Sequence, residues 1–401
     1  MITNATNWLR PVYQDNETIN TTVTKFLREI ETHGDSSIVD LCNRFDDFNP
    51  QWIPLKPFDE YALEPELAAA IQLAAKRIER FAQFQKAGLQ SQEFSDESGT
   101  YGQVVSPIER VGVYIPGGRF PLISTALMTL IPARVAGSPV RIACSPSANP
   151  ALLAAASLAG ATRFLQIGGV QAIGALTFGY QSMTPVDLIV GPGNAFVNEA
   201  KKQVQGKIKI DGLAGPSELL AICDGQQPIE WLALDALAQA EHDPMACSLI
   251  VCDNFAWLTR MLTYLENKPE TLQLLDSKQI ELIYAPSVDD LISFSDRFAP
   301  EHLMLCHQAI EAKELNHYGS LFIGANSAVA LGDYISGPNH TLPTLGYAKQ
   351  SGGLSVNTFL RIQTTQSIND DGRVSLARAA QMIAEAEGLD FHAQSLRVRS
   401  T

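Results

Sequence analysis

The sequence contains no run of five basic residues, no C-x-x-C pair and no unbroken apolar stretch of membrane-spanning length. Each absence excludes a class of protein. Acidic residues outnumber basic ones 43 to 29, for a formal net charge of −14. Non-specific nucleic-acid binding needs clustered Lys and Arg, so no nucleic-acid partner is expected. The most apolar segment, Pro150 to Phe178, is broken by Arg163, Gln166, Gln171 and several glycines. It suits a buried βα unit better than a bilayer span, so no membrane partner is expected either. Met1 to Thr18 is polar and lacks an apolar core followed by a small-residue cleavage site, so no secretory signal is expected. The six cysteines are scattered, mostly in apolar strand-like runs. They read as small buried thiols in a reducing compartment, which points to the cytoplasm.

What is present is a globular composition over 401 residues, enough for two or more domains at roughly 100–200 residues each. Residues 17–93 read as helical, and 98–110 as a strand or hairpin. The texture then changes to strands alternating with helices: strands at 111–115, 140–144, 163–167, 187–190 and 207–210, with helices between them. A second alternating run has strands at 219–223, 248–252, 281–284, 303–306 and 320–323. Such alternation predicts an α/β fold of parallel βαβ units. We read two doubly wound, Rossmann-like halves, joined by the Gly/Pro loop Asp211 to Glu218. A helical segment precedes them and a helical arm, with a helix over 374–387, follows. Ligands in open α/β sheets sit at the carboxyl ends of strands, so the loops after each strand are where to look.

Three such loops are glycine-rich: Ile115-Pro-Gly-Gly118, Gly168-Gly169 and Gly191-Pro-Gly193-Asn194. Glycine lets a phosphate approach the backbone, and helix N-termini offer free N–H groups. None is a G-x-G-x-x-G fingerprint, since Phe196 stands where a third glycine belongs, so tight turns explain them equally well. Histidine is scarce, at seven residues, yet four lie in compact polar contexts. Gln239 and His242 are three apart at a helix end and share a face, so they could offer an oxygen and an imidazole to one metal ion. A polar helix cap is the plainer alternative. Glu301-His302 places an acid beside a base in a loop before a strand. Asp333 to Pro343 is a long irregular loop holding His340, with Asp333 a candidate oxygen ligand. Glu387-Gly-Leu-Asp-Phe-His392 closes the C-terminal helix. Taken together, Gln, His and Asp donors without cysteine suit zinc or a similar divalent ion.

Seven motifs then occur in a familiar order: Val111-Gly-Val-Tyr-Ile-Pro-Gly-Gly118, Gly168-Gly-Val-Gln-Ala-Ile173, Val190-Gly-Pro-Gly-Asn-Ala-Phe196, Ala214-Gly-Pro-Ser-Glu218, Gln239-Ala-Glu-His-Asp-Pro244, Phe298-Ala-Pro-Glu-His-Leu303, and Gly332-Asp-Tyr through to Pro-Asn-His-Thr-Leu-Pro343. In these, and in Gly353-Leu-Ser-Val356, the chain resembles the L-histidinol dehydrogenase family over nearly its whole length. The resemblance implies a four-electron oxidation of L-histidinol to L-histidine through the aldehyde, with two NAD reduced in turn, as the last step of histidine biosynthesis. It implies one zinc per subunit, held by Gln239, His242, Asp333 and His392. His302 would take the alcohol proton and Glu301 would activate water for the second half. His340, Ser217 and Glu387 would contact substrate, as would the zinc ligands and His302. Tyr114, Gln171 and Asn194 would line the NAD site.

The resemblance also implies an intertwined homodimer, with Glu387 and His392 reaching the partner's active site. On this reading residues 1–20 form an N-terminal arm and 109–216 the NAD-binding half. Residues 21–108 with 217–355 form a second α/β domain carrying metal and catalytic residues, and 356–401 a C-terminal dimerisation arm. The segment before Arg10-Pro11 and the stretch between His242 and Glu301 look shorter than the family pattern. A dehydrogenase of another small polar alcohol on the same scaffold is the alternative reading.

Overall fold

The computed structural model describes residues 2–11, 16–46, 48–117, 122–213 and 215–400. Gly118, the last residue of the first glycine loop, lies outside them. Two six-stranded sheets form the body. The first runs Gln51–Ile53, Arg163–Gln166, Val140–Ser145, Arg110–Tyr114, Leu188–Val190, Lys209–Ile210. The second runs Ile2–Asn4, Ile280–Tyr284, Cys247–Cys252, Glu218–Cys223, His302–Cys306, Ser320–Ile323. Leaving aside the first strand named in each, both sheets are parallel and each starts at its centre and winds outward to either side. That is the doubly wound arrangement expected from the alternating pattern. Their central strands are buried end to end because helices cover both faces, so they read as continuous apolar runs such as Leu219-Leu-Ala-Ile-Cys223.

The segment 21–108, expected in the second half, does not join it: its helices through Ala87 and the strand Gln51–Ile53 cover the first sheet, and the rest enters a third sheet. Helices Glu17–His33 and Asp35–Phe45 place Val23, Ile30, Ile38 and Leu41 in one core with Ile173 and Val197. Helix Pro65–Ala87 covers the opposite face, packing Ile71 and Ile78 with Leu127 and Leu130. Gln51–Ile53 pairs antiparallel with Arg163–Gln166 at the sheet edge. The cause is the apolar sides of helices Ile123–Ala136, Pro150–Ala159 and Gly169–Phe178, which would otherwise face water. The first residues are no free arm either. Ile2–Asn4 is an edge strand parallel to Ile280–Tyr284, and Trp8 packs against Phe294 and Phe298.

Two features join the halves near the site. Pro132 lies inside helix Ile123–Ala136 and has no N–H to give the carbonyl of Met128. Asn339 of the second half donates its side-chain amide to that carbonyl instead. Thr125, one turn earlier, meets His340 at 3.3 Å. Since helix Ile123–Ala136 follows the carboxyl end of Arg110–Tyr114, that end of the first sheet faces the residues around His340.

A third, antiparallel sheet of Gln92–Asp96, Gly99–Pro107 and Leu360–Ile368 leads into helices Asp370–Ala386 and Asp390–Arg397. These two helices pack principally on each other. They leave Met382, Ile383, Phe391 and Val398 exposed.

Candidate active site

Glu218 begins the central strand of the second sheet and His302 begins its neighbour, so both stand at the amino ends of their strands. The search of strand carboxyl ends therefore does not hold for the second sheet. There the chemistry-bearing residues gather at the end that faces the first half. The main chain of Glu218 holds two of them. Its N–H donates to Glu301 Oε2 at 2.8 Å, and its carbonyl lies 3.2 Å from His302 Nδ1. A carbonyl can only accept, so Nδ1 carries the proton and Nε2 is the nitrogen available for exchange.

His302 is buried between two carboxylates, with Glu301 Oε2 3.4 Å from Nδ1 and Asp333 Oδ1 3.5 Å from Nε2. Burial alone would lower its pKa, but Glu301 and Asp333 together push it up to about 10. Asp333 is opposed in the same way. Burial would raise it, yet the hydrogen bond and charge of His302, with His340 and His242 beyond, hold it below the usual carboxylate range. His340 Nδ1 bonds the main-chain carbonyl of Asp333 at 2.8 Å, and burial holds this imidazole below its ordinary value. Phe322 packs beside His302 with ring centroids 5.8 Å apart. His302, Phe322, Gly332, Asn339 and His340 line a cavity of about 320 Å3.

Gln239 ends helix Ile229–Ala240 and is 2% exposed, yet its side-chain nitrogen has no partner. Amide N and O are interchangeable by a flip, so a buried amide end is left free for a ligand here. His242 follows on the exposed turn, close enough for its charge to reach Asp333. Ser217 immediately precedes Glu218. One chain thus brings together Glu301, His302, Asp333 and His340, with His242 near enough to act on Asp333, Ser217 one residue before Glu218 and Gln239 three before His242. It does not bring Glu387 or His392 among them. Glu387 caps helix Asp370–Ala386 and His392 lies in Asp390–Arg397, both exposed on the arm. Among the described residues no three His, Cys, Asp or Glu side chains form a cluster able to hold a metal ion.

At the first sheet, Tyr114 ends its strand and Gln171 lies in the first turn of helix Gly169–Phe178; both are buried, and Gln171 Nε2 donates to Asp46 Oδ2 at 2.7 Å. Burial pushes the Tyr114 hydroxyl up to about 12. Asn194 caps helix Ala195–Val204, accepting from the N–H groups of Phe196 and Val197 at 3.1 Å. Asp46 also receives the N–H of Gly168. The N–H of Gly168 and the start of helix Ala195–Val204 are thus engaged by side chains of this chain, whereas helix Ile123–Ala136 has no side-chain cap.

Sequence reasoning missed Asp46, Arg10 and Glu218. Arg10 binds Glu218 and the carbonyl of Phe298, and stacks on the Phe298 ring at 4.1 Å. Glu218 is pushed up to about 7 by burial, against the pull of Arg10. Glu218 stood in the recognised motif Ala214 to Glu218, so a signal existed for it; Arg10 stood in none. Asp46 follows a helix with no motif around it.

The histidinol dehydrogenase family model matches residues 10–400. The histidinol dehydrogenase of Nitrosomonas europaea is 38% identical over 95% of this chain and 92% of its own length. That of Acinetobacter baylyi is 39% identical over 94% and 92%. The crystal structure of histidinol dehydrogenase from Elizabethkingia anophelis superposes with a TM-score of 0.89 at 34% identity, covering 97% of this chain and 94% of that one. A match of this extent, running through every motif that builds the site, makes the chain a member of the histidinol dehydrogenase family.

Proposed function

We propose that this protein oxidises L-histidinol to L-histidine with NAD, through the aldehyde, at a divalent-metal site completed by a second subunit. The observation that carries the reading is the gathering of Glu301, His302 and Asp333 with Gln239 and His242 where the two sheets face each other. The donor types fit a borderline divalent ion such as zinc: an amide oxygen, imidazole and carboxylate, with one buried amide end free. Gln239, His242 and Asp333 would hold it, joined by His392 of the arm. When bound, NAD accepts hydride in each half-reaction and the ion orients the amine and imidazole of the substrate.

The protein's own groups do the proton work. His302 Nε2 takes the alcohol proton as hydride leaves the same carbon. Its present neighbours keep it protonated, so it serves as a base only when Asp333 is engaged elsewhere, as a metal ligand is. Glu301, anchored by the Glu218 N–H, deprotonates the water that adds to the aldehyde, and loss of a second hydride from the hydrate leaves the carboxylate. His340, held neutral by burial, contacts substrate, as do Ser217 and Glu387. Tyr114, Gln171 and Asn194 line the NAD site at the first sheet.

The exposed apolar surface of the arm supports an intertwined homodimer, and the proposed metal is one per subunit. All six cysteines are buried and unpaired, as suits the reducing cytoplasm. The test is NADH formation by purified protein given NAD and L-histidinol. About two NADH per histidinol, lost on chelation and restored by zinc, is expected. No NADH from the zinc-loaded protein would sink the substrate assignment and favour oxidation of another small alcohol.

A further inference from the structure

We propose that the buried Lys201–Asp211 ion pair is the positioning device of the cofactor loop, fixing Gly191-Pro-Gly193 for NAD; this rests on the NAD reading above. Lys201 lies in helix Ala195–Val204 and is 1% exposed. Its Nζ pairs with Asp211 Oδ1 and donates to the carbonyl of Gly191 at 2.8 Å. Asp211 Oδ2 accepts from the N–H of the same glycine at 2.7 Å. One buried ion pair therefore takes up both main-chain polar groups of Gly191, the first residue past strand Leu188–Val190.

That residue is under unusual constraint. Its φ is +114°, and a Cβ built on it would lie 2.0 Å from the carbonyl oxygen of Tyr114. The loop is thus pressed against the end of the neighbouring strand, at a residue of the proposed NAD site, and Asn194 follows three positions on. Asp211 in turn opens the linker to Ser217, and its Oδ1 also receives the N–H of Gly212 at 2.8 Å. The pair ties together the cofactor loop, the helix behind it and the linker to the substrate side. Burying two charges is a poor route to stability, since a well-packed apolar pair does at least as well. What the charges add is the hold on Gly191, which no apolar pair supplies.

The test compares K201M, K201R and the double variant K201M/D211L with the native protein. Unfolding by urea, direct NAD titration, and KM for NAD and for L-histidinol are measured. K201M leaves a buried carboxylate unpaired and loses stability. K201M/D211L removes both charges and recovers an unfolding midpoint near the native one. It nevertheless binds NAD about tenfold more weakly, with the KM for L-histidinol changed less than about twofold. K201R keeps the charge and stays nearer the native NAD affinity. A double variant that is stable and binds NAD as the native protein does overturns the clamp. Should the double variant fail to fold, D211N decides: weaker NAD binding at native histidinol KM supports the clamp, and unchanged NAD binding overturns it. Native protein that binds no NAD overturns the functional reading itself.

Discussion

Replacing Gly191 by alanine measures how closely the central strands of the first sheet approach at their carboxyl ends. Two costs add. An L-residue at φ +114° is strained by about 1–2 kcal/mol. The new methyl also falls 2.0 Å from the Tyr114 carbonyl oxygen, a main-chain atom with no rotamer to escape into. Relief requires the loop to shift, stretching the bonds from Gly191 to Asp211 and Lys201, each worth about 1 kcal/mol. The expected total is about 3–4 kcal/mol. Gly206 supplies the internal control, because its φ is +103° and nothing lies within 4 Å of its would-be Cβ. Gly206→Ala should therefore cost only the backbone share, about 1–2 kcal/mol. Scanning calorimetry of both variants should place the Gly191→Ala transition about 4–8 °C below that of Gly206→Ala, taking about 2–4 °C per kcal/mol for a unit of this size. A Gly191→Ala protein no less stable than Gly206→Ala would refute the close approach and the reasoning built on it.

Four further outcomes follow from the site. His302→Asn should abolish turnover with metal content near native, whereas His392→Asn should lose metal and activity together; metal analysis beside NADH assays separates them. Mixed dimers of these two inactive variants, formed by refolding together, should regain about a quarter of native activity if each site draws on both subunits; no recovery would place His392 outside the partner's site. In chelated protein, His302 titrates near 10 folded against 6.5 for its ordinary value, so the folded state holds the extra proton between these limits. That stabilisation, on the order of a few kcal/mol, is complete below pH 6.5 and lost as pH rises toward 10; urea midpoints across that range should fall, and His302→Asn should flatten the slope. Asn339→Ala should leave the Met128 carbonyl unpaired and loosen the loop to His340, lowering kcat and costing about 1–2 kcal/mol of stability. Adding Pro132→Ala should restore the stability, by giving Met128 a helical partner, without restoring kcat.

The alternating core was readable because its strands and helices carry their own periodicity and caps. Helices 150–159, 195–204 and 255–266 fall where their Asn caps and apolar spacing put them. Short edge strands were not readable: Ile2–Asn4 and Gln51–Ile53 are three residues each, too few for a period. Strand Leu360–Ile368 is almost wholly exposed, so it lacks the buried face that pattern reading relies on. The grouping of 21–108 failed because an amphipathic helix declares that it needs a cover, not which sheet supplies it. At the site, residues acting by side chain stood out as His, Glu and Asp in polar loops. Those acting on residues distant in sequence, such as Arg10 and Asp46, carry no local signature, since their role exists only once the elements are side by side.

The reversed polarity of the second sheet has a practical side. His302 starts its strand at the chemistry, and Cys306 ends it about 13 Å away, at about 3.3 Å per residue. The turns at that far end, including the exposed Gln226 and Gln308, lie at the opposite end of the sheet from His302. They are the places to graft an affinity tag, a fluorophore or a surface tether, and an enzyme immobilised there keeps its working face open to solution.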